Sequence, residues 1–304
     1  MAKDITLRQL RYFIAAARAG QFSMAATNEH VSQSAITNAV IALEQALGTK
    51  LFDRGAHGVT MTADGHDFYH HARHVLDSVR DAMHKPRAGA RATSGTVRIA
   101  ASYAVLGYFL PELLARFRAS FPAIELDLRD MDRAVIEKAV LDGTIDLGVT
   151  LVSNTPCLDA FEHRVLIRSR RQLWTAPSHP LARAASVSLA DIATHPYILL
   201  TVDEGEASTT RYWQTKGLQP NIAFRTGSME AVRGLVANGF GVTVLSDMLF
   251  RAWSLDGTRI DARPVVDSIP PMEVGLIWRP GAALAPAAQQ LRHFLIQVYS
   301  GEAD

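Results

Sequence analysis

Short polar side chains cluster near the start of one helical pattern in the N-terminal sixty residues. Gln33, Ser34, Thr37 and Asn38 lie largely away from the apolar stripe of that pattern. Amide and hydroxyl groups supply both donors and acceptors, and short side chains fit the DNA major groove, where base edges are read. We therefore predict that these four residues, with Ser32 at the start of the helix, contact DNA.

Basic residues flank this helix on both sides. Arg8 and Arg11 precede it, and Lys50 and Arg54 follow it, which makes all four natural contacts for phosphate. From Ser32 to Leu47 there is no basic residue. A basic residue on this helix would add a phosphate contact, so its absence predicts weak sequence-independent binding with a shallow salt dependence.

Three short helices and a hairpin must position these residues. Apolar residues at helical spacing, and residue types suited to helix ends, predict the boundaries over residues 4–61. The predicted elements are a first helix carrying Leu7, Leu10, Ile14 and Ala17 and ending at Gly20; a second capped by Ser23, from Met24 to about Glu29; a third capped by Ser32 with the stripe Ile36, Val40, Leu43 and Leu47, ending at Gly48; and a hairpin wing formed by Lys50–Arg54 and Val59–Met61.

A longer helical pattern over residues 62–87 has a heptad seam. Phe68, Ala72, Val75, Val79 and Ala82 are spaced by 4, 3, 4 and 3 residues. Such a seam can pair with a copy of itself, so this linker helix predicts a homodimer.

Histidines recur along the same helix. His66, His70 and His74 follow at intervals of four residues. This spacing could bind a metal or sense pH. We favour a solvated face and predict no metal, because no Cys, Asp or Glu completes a compact ligand set.

After a small-residue stretch at 88–95, β-rich runs alternate with amphipathic helices over residues 94–300. Alternation of this kind predicts an α/β fold with a mostly parallel sheet and helices on both faces. The runs divide into two halves, the first opening at Thr96–Ala100 and the second at Tyr197–Thr201. Met272–Trp278 and the helix over 285–298 are expected to complete the first lobe.

Ligands of such sheets bind at the carboxyl ends of strands, beside helix N-termini. Hydroxyls and free helix-end N–H groups there suit a carboxylate or another anion. Single residues are ambiguous, since Ser102 and Ser228 are equally good helix caps. The predicted effector-site residues are Ser102, Tyr103, Thr150, Thr201, Ser228, Met229 and Val242.

Composition narrows the class of protein. Lys and Arg number 31 against 30 Asp and Glu, so any DNA contact must be local. The single cysteine, Cys157, excludes an internal disulfide and is interpreted as a free loop thiol. We find no signal-peptide pattern and no long apolar run, and we therefore expect a soluble cytoplasmic protein without membrane contact. The sequence has no phosphate loop, no nucleophile elbow and no paired-histidine metal motif. This argues against an enzyme, and we expect no cofactor.

The N-terminal motifs resemble those of the LysR-type transcriptional regulators, in order and in spacing. The remainder of the chain is similar to the family in layout. The stretches that carry the resemblance are Leu7–Phe13, Gly20–Ala26, Val31–Thr37, Leu43–Gly48, Leu51–Arg54 and Thr60–Gly65.

The resemblance implies a winged helix-turn-helix, a coiled-coil linker helix and a two-lobed effector domain like those of periplasmic binding proteins. It also implies a dimer or tetramer on an operator with dyad symmetry, with RNA polymerase as a further candidate partner. This chain departs from the family pattern at Ser34, where proline is common, and at Asn38, Ile41 and Ala42, near which the family usually carries Arg or Lys.

Alternatives remain open at this point. The chain could be an effector-independent DNA-binding protein or a cytoplasmic small-molecule-binding protein. A solute-binding protein would fit the two C-terminal lobes but not the extra N-terminal module. The residues do not distinguish activation from repression, or a dimer from a tetramer.

Overall fold

A computed structural model describes residues 5–55, 58–83 and 93–299. The chain forms two compact units whose boundary in sequence falls after Arg87. Within the described ranges, no helix combines the length and the apolarity needed to cross a membrane.

The first unit consists of helices and one hairpin, as predicted. Strands β1 and β2 pair antiparallel, with Phe52 opposite Met61. The elements are α1 Leu7–Ala19, α2 Phe22–Asn28, α3 Gln33–Leu47, β1 Phe52–Gly55, β2 Gly58–Met61 and α4 Ala63–Met83.

Helix ends in this unit follow the capping residues. Gly20 and Gly48 end α1 and α3 in the left-handed conformation, and Ser32 Oγ accepts the Ala35 N–H at 3.2 Å. These three predictions are confirmed. The Ser23 cap was wrong: α2 begins at Phe22, whose ring enters the core and lies 5.6 Å from that of Phe52. Burial of this ring therefore starts the helix earlier than capping chemistry indicated.

An aromatic core joins α1, the hairpin and α4. Phe13 is fully buried, and its ring centroid lies 5.3 Å from that of Phe52 and 5.2 Å from that of Phe68. Ala72 is 1% exposed in the same core, whereas Val75 is 42% and Val79 36% exposed. The predicted seam is therefore divided, because Ala72 is buried and Phe68 half-buried within the chain's own unit.

The histidine face also needs correction. His66 is 9% exposed, so it is not on a solvated face, while His71 is exposed. The side chains of His70 and His74 and the seam residue Ala82 lie outside what the structure describes. Among the described residues, no group of three His, Cys, Asp or Glu side chains is arranged to hold a metal ion.

The second unit has two lobes. Its elements in chain order are β3 Gly95–Ala101, α5 Tyr103–Tyr108, α6 Leu110–Ser120, β4 Ile124–Asp130, α7 Arg133–Leu141, β5 Leu147–Leu151, β6 Glu162–Ser169, β7 Arg171–Thr175, α8 Leu189–Ala193, β8 Pro196–Leu200, α9 Gly205–Gln214, β9 Asn221–Thr226, α10 Met229–Ala237, β10 Thr243–Ser246, β11 Asp261–Pro264, β12 Met272–Trp278 and α11 Pro286–Tyr299.

The first lobe is built on a five-stranded sheet in the order β4-β3-β5-β12-β6. Strand β3 runs parallel to β4 and β5, and β12 runs antiparallel to β5 and β6. As predicted, β12 and α11 complete this lobe. The second lobe contains the parallel pair β8-β9 and an antiparallel sheet in the order β10-β7-β11.

The prediction of a mostly parallel sheet was wrong in part. Strands β6, β7 and β11 were not predicted, and each pairs antiparallel. The chain passes from β6 of the first lobe to β7 of the second with only Arg170 between them. A direct extended crossing of this kind replaces the strand-helix-strand connection that gives parallel neighbours.

Candidate nucleic-acid interface and inter-lobe site

Helix α3 exposes polar groups at its first turns. Gln33, Ser34 and Asn38 are exposed, whereas Thr37 is half-buried and its hydroxyl donates to the Gln33 carbonyl at 2.9 Å. The Ser34 hydroxyl lies 2.9 Å from that of Ser32, which caps the helix. The Ser34 and Thr37 hydroxyls thus already contact groups within the helix. The side-chain amides of Gln33 and Asn38 are therefore the main candidates for base reading.

All four predicted phosphate contacts are exposed. Arg11 Nε lies 2.8 Å from a carboxylate oxygen of Glu29, and Arg54 lies over the Phe22 ring, 5.3 Å from its centroid. An exposed ion pair such as Arg11–Glu29 contributes little free energy, so a phosphate can compete for the Arg11 guanidinium.

Glu44 has a structural role that sequence reasoning missed. Its Oε1 accepts the backbone N–H groups of Leu51 at 2.9 Å and Phe52 at 3.2 Å, which attaches the start of the wing to α3. Nothing in the local pattern indicates this contact, because it depends on the packing of the hairpin against the helix.

Glycines allow the wing to approach the rest of the unit closely. Gly58 has φ +132°, and a Cβ there would lie 2.2 Å from the Gly20 carbonyl oxygen. The neighbouring Val59 N–H donates to that same oxygen at 2.8 Å. The start of β2 is therefore fixed to the turn between α1 and α2.

In the second unit, two predicted effector residues meet at adjacent strand ends. Strands β3 and β5 are parallel neighbours, and the Ser102 N–H donates to the Val149 carbonyl at 3.3 Å, next to Thr150. Ser102 is 1% exposed and Thr150 is fully buried. Among the described residues, neither hydroxyl has a hydrogen-bond partner of normal geometry. Unpaired buried hydroxyls are costly, so the pair is a candidate ligand site.

A carboxylate that the sequence analysis did not identify lies at this site. Asp203 Oδ2 accepts the Ala104 N–H at 2.6 Å, close to the Ser102 hydroxyl. Burial raises the pKa of Asp203, while the N–H groups of Ala104 and Tyr103 oppose that shift. Asp203 follows the predicted residue Thr201 by two positions, which was the one available signal.

The remaining predicted effector residues are dispersed. Tyr103 is 38% exposed at the start of α5, and Thr201 is exposed, with its N–H donating to Thr226 at 2.9 Å. Ser228 caps α10 by accepting the Ala231 N–H at 3.2 Å. Its hydroxyl is therefore committed to the helix.

Two further predicted effector residues lie in the interior of the second lobe. Met229 and Val242 are both fully buried. Val242 packs in the hydrophobic cluster of the second lobe, with Tyr197 and Val244. Both side chains contribute to packing, and their part in effector binding stays a prediction.

A winged helix-turn-helix joined to a two-lobed α/β unit is the architecture of a ligand-responsive transcriptional regulator. Residues 7–66 match the bacterial regulatory helix-turn-helix protein, lysR family, and residues 90–300 match the LysR substrate binding domain. The chain belongs to the LysR family of transcriptional regulators, with a DNA-binding and an effector-binding domain.

Individual relatives extend over nearly the whole chain. The HTH-type transcriptional regulator YnfL of Escherichia coli K12 is 30% identical, over 96% of this chain and 98% of its own. HinK, a LysR family transcriptional regulator from Pseudomonas aeruginosa, has a crystal structure that superposes with a TM-score of 0.61 and is 27% identical in sequence. The match covers 98% of this chain and 100% of the HinK chain. The structure of full-length CbnR complexed with its target DNA is 25% identical, with a TM-score of 0.57. The match covers 97% of this chain and 99% of the CbnR chain.

Proposed function

We propose that this regulator reads its operator with the amides of Gln33 and Asn38 and the hydroxyl of Ser34, and that a small carboxylate controls it from the site at Ser102 and Thr150. Two observations support the effector half: the buried Thr150 hydroxyl has no partner among the described residues, and the buried Ser102 hydroxyl lies beside the Asp203 carboxylate. A carboxylate is favoured because backbone N–H and hydroxyl donors converge there.

The DNA half is supported by exposure and by charge. The polar residues at the start of α3 are exposed, and Arg8, Arg11, Lys50 and Arg54 flank them within the same unit. By this division of roles, the amides specify the sequence and the cations hold the phosphates. Ser32 and Thr37 act mainly on the helix itself, through the hydrogen bonds described above.

Assembly follows from α4. Val75 and Val79 expose apolar side chains at heptad spacing, and we propose that they pair with a second copy to form a dimer on an operator with dyad symmetry. Further association to a tetramer, contact with RNA polymerase and a cytoplasmic location belong to the same proposal. The chain is proposed to regulate without catalysing a reaction.

A shift assay with the full chain and its own upstream intergenic DNA tests this proposal. A specific shift is expected, with a salt slope that falls by about 0.9 for each phosphate contact removed. Lys50→Gln and Arg54→Gln should each show this loss, and Arg225→Gln in the second unit should not. A pool of small carboxylates should alter the specific shift of the wild-type chain. Absence of a specific shift at low salt would refute the operator half, and an unresponsive shift would refute the effector half.

A further inference from the structure

The loop after β8 adopts a backbone conformation that its side chains disfavour. Asp203 and Glu204 have φ of 52° and 55°, in the left-handed region that favours glycine. Gly205 follows, and a Cβ there would lie 2.3 Å from the Leu200 carbonyl oxygen. The Gly205 N–H donates to Val202 at 2.9 Å and closes the turn. The end of β8 therefore fixes this strained loop.

Asp203 and Glu204, in the second lobe, also contact residues of the first lobe. Besides the bond from Ala104 to the Asp203 carboxylate, the Asn154 side-chain amide donates to the Asp203 carbonyl at 2.9 Å. Arg133 Nε lies 3.0 Å from a carboxylate oxygen of Glu204. Side chains of α7 and of the segment after β5 thus bind a loop that belongs to the other lobe.

Strain at such a position persists only where surrounding contacts determine it, and it is typical of functional sites. Two of the three contacts, from Ala104 and Asn154, come from the segments that follow β3 and β5, where the candidate effector site lies. The Asp203 carboxylate therefore lies at the Ala104 N–H and beside the Ser102 hydroxyl, and the Ser102 N–H bonds the residue that precedes Thr150.

We propose that Asp203 is a built-in competitor of the effector, and that an effector carboxylate binds by displacing the Asp203 side chain from Ala104. This inference rests on the proposed function, because it takes the same site as the effector site. Displacement breaks the hydrogen bond between the Ala104 N–H and the Asp203 carboxylate. Effector binding therefore removes one contact between the first lobe and the loop after β8. The affinity for the effector is accordingly set by how strongly the internal carboxylate holds its place.

The test uses acetate as the probe, because acetate reproduces the group that Asp203→Gly removes. Glycine also suits the positive φ, so this variant keeps the backbone conformation. Acetate at about 100 mM should raise the melting temperature of the variant by about 2–4 °C and leave the wild-type chain unchanged, with sodium chloride at equal concentration as the reference. Asp256→Gly is the matched control, since Asp256 also accepts hydrogen bonds but lies exposed within one lobe. It should not respond to acetate.

Isothermal titration with acetate separates the two levels of the proposal. A dissociation constant at least about tenfold lower in Asp203→Gly than in wild type supports competition. Equal binding by both proteins, lost in Thr150→Val, would overturn competition while retaining the effector site. No binding by either would overturn both. Asp203→Asn, which keeps size and tolerates positive φ, covers a failure of the glycine variant to fold. It should bind acetate more tightly than wild type, and equal affinities would contradict the inference.

Discussion

Arg233 of α10 and Tyr108 of α5 connect the two lobes of the second unit. Arg233 Nη1 donates to the Tyr108 hydroxyl at 3.0 Å, and the guanidinium carbon lies 5.1 Å from the ring centroid. Arg233 is 2% exposed, and its Nη2 donates to the buried Leu249 carbonyl at 2.7 Å. This arginine therefore satisfies groups from both lobes.

Replacing Arg233 with Met should lower the free energy of unfolding by about 2–4 kcal/mol, because the Leu249 carbonyl and the Tyr108 hydroxyl lose their donor. Urea denaturation of the full chain measures this change. Arg225→Met is the control, since Arg225 forms an exposed pair with Glu206 and should change stability by at most about 0.5 kcal/mol. Equal effects of the two substitutions would contradict the role given to Arg233.

Replacing Asn38 or Gln33 with Ala should weaken specific DNA binding by about 1–3 kcal/mol and leave non-specific binding nearly unchanged. The physical reason is that an amide reads base edges and carries no charge to phosphate. Competition shift assays with operator and random DNA measure both affinities. Gln45→Ala, at the far end of α3, should leave both unchanged. Parallel losses on both DNAs would show that Asn38 and Gln33 do not read bases.

Replacing Glu44 with Ala should destabilise the first unit by about 1–3 kcal/mol, because the Leu51 and Phe52 N–H groups lose their acceptor. Glu44→Gln keeps an acceptor oxygen and should cost less. Thermal denaturation that follows the first unit separately measures both changes in stability. DNA affinity should fall more in Glu44→Ala than in Glu44→Gln, because the hairpin wing is held less firmly. An alanine variant as stable as wild type would mean that water replaces the carboxylate at no cost.

Replacing Val75 with Glu should dissociate the proposed dimer, because a charge in an apolar heptad seam cannot be solvated there. Analytical ultracentrifugation of the full chain measures the mass. Leu255→Glu is the control, since Leu255 is also exposed, at 84%, but lies outside α4. An unchanged mass for the Val75 variant would refute pairing through α4.

Asp247 gives a pH dependence with a defined sign. Burial raises its pKa from 3.8 to about 7, with the charge of Arg170 opposing. The folded chain therefore holds this proton more tightly than the unfolded chain, so the contribution of Asp247 is most favourable below about pH 4 and is lost as the pH rises to about 7. Asp247→Asn should stabilise the chain by about 3–4 kcal/mol at pH 8 and by much less near pH 4. A difference that does not vary with pH between these limits would contradict the shift.

The sequence by itself determined the local elements of the DNA-binding unit and its candidate reading residues. Helix caps such as Ser32 and Gly48 act over one turn, and the hairpin turn acts over a few residues, so their chemistry is visible in a short window. The paired strand ends at Ser102 and Thr150 could also be predicted, because parallel neighbours bring their carboxyl ends to one edge.

Only the tertiary structure decided which distant groups meet. Asp203 and Ala104 are separated by 99 residues and Glu44 and Phe52 by 8, and no periodicity links either pair. Phe68 and Ala72 match the heptad spacing but pack on Phe13 and its neighbours, because one apolar stripe suits a partner helix or the chain's own core equally well. Strand β12 pairs antiparallel with β5 and β6 because of the position at which the chain passes back from the second lobe to the first. Sequence spacing encodes the short-range preference of each element, whereas these pairings depend on the free energy of packing whole elements together.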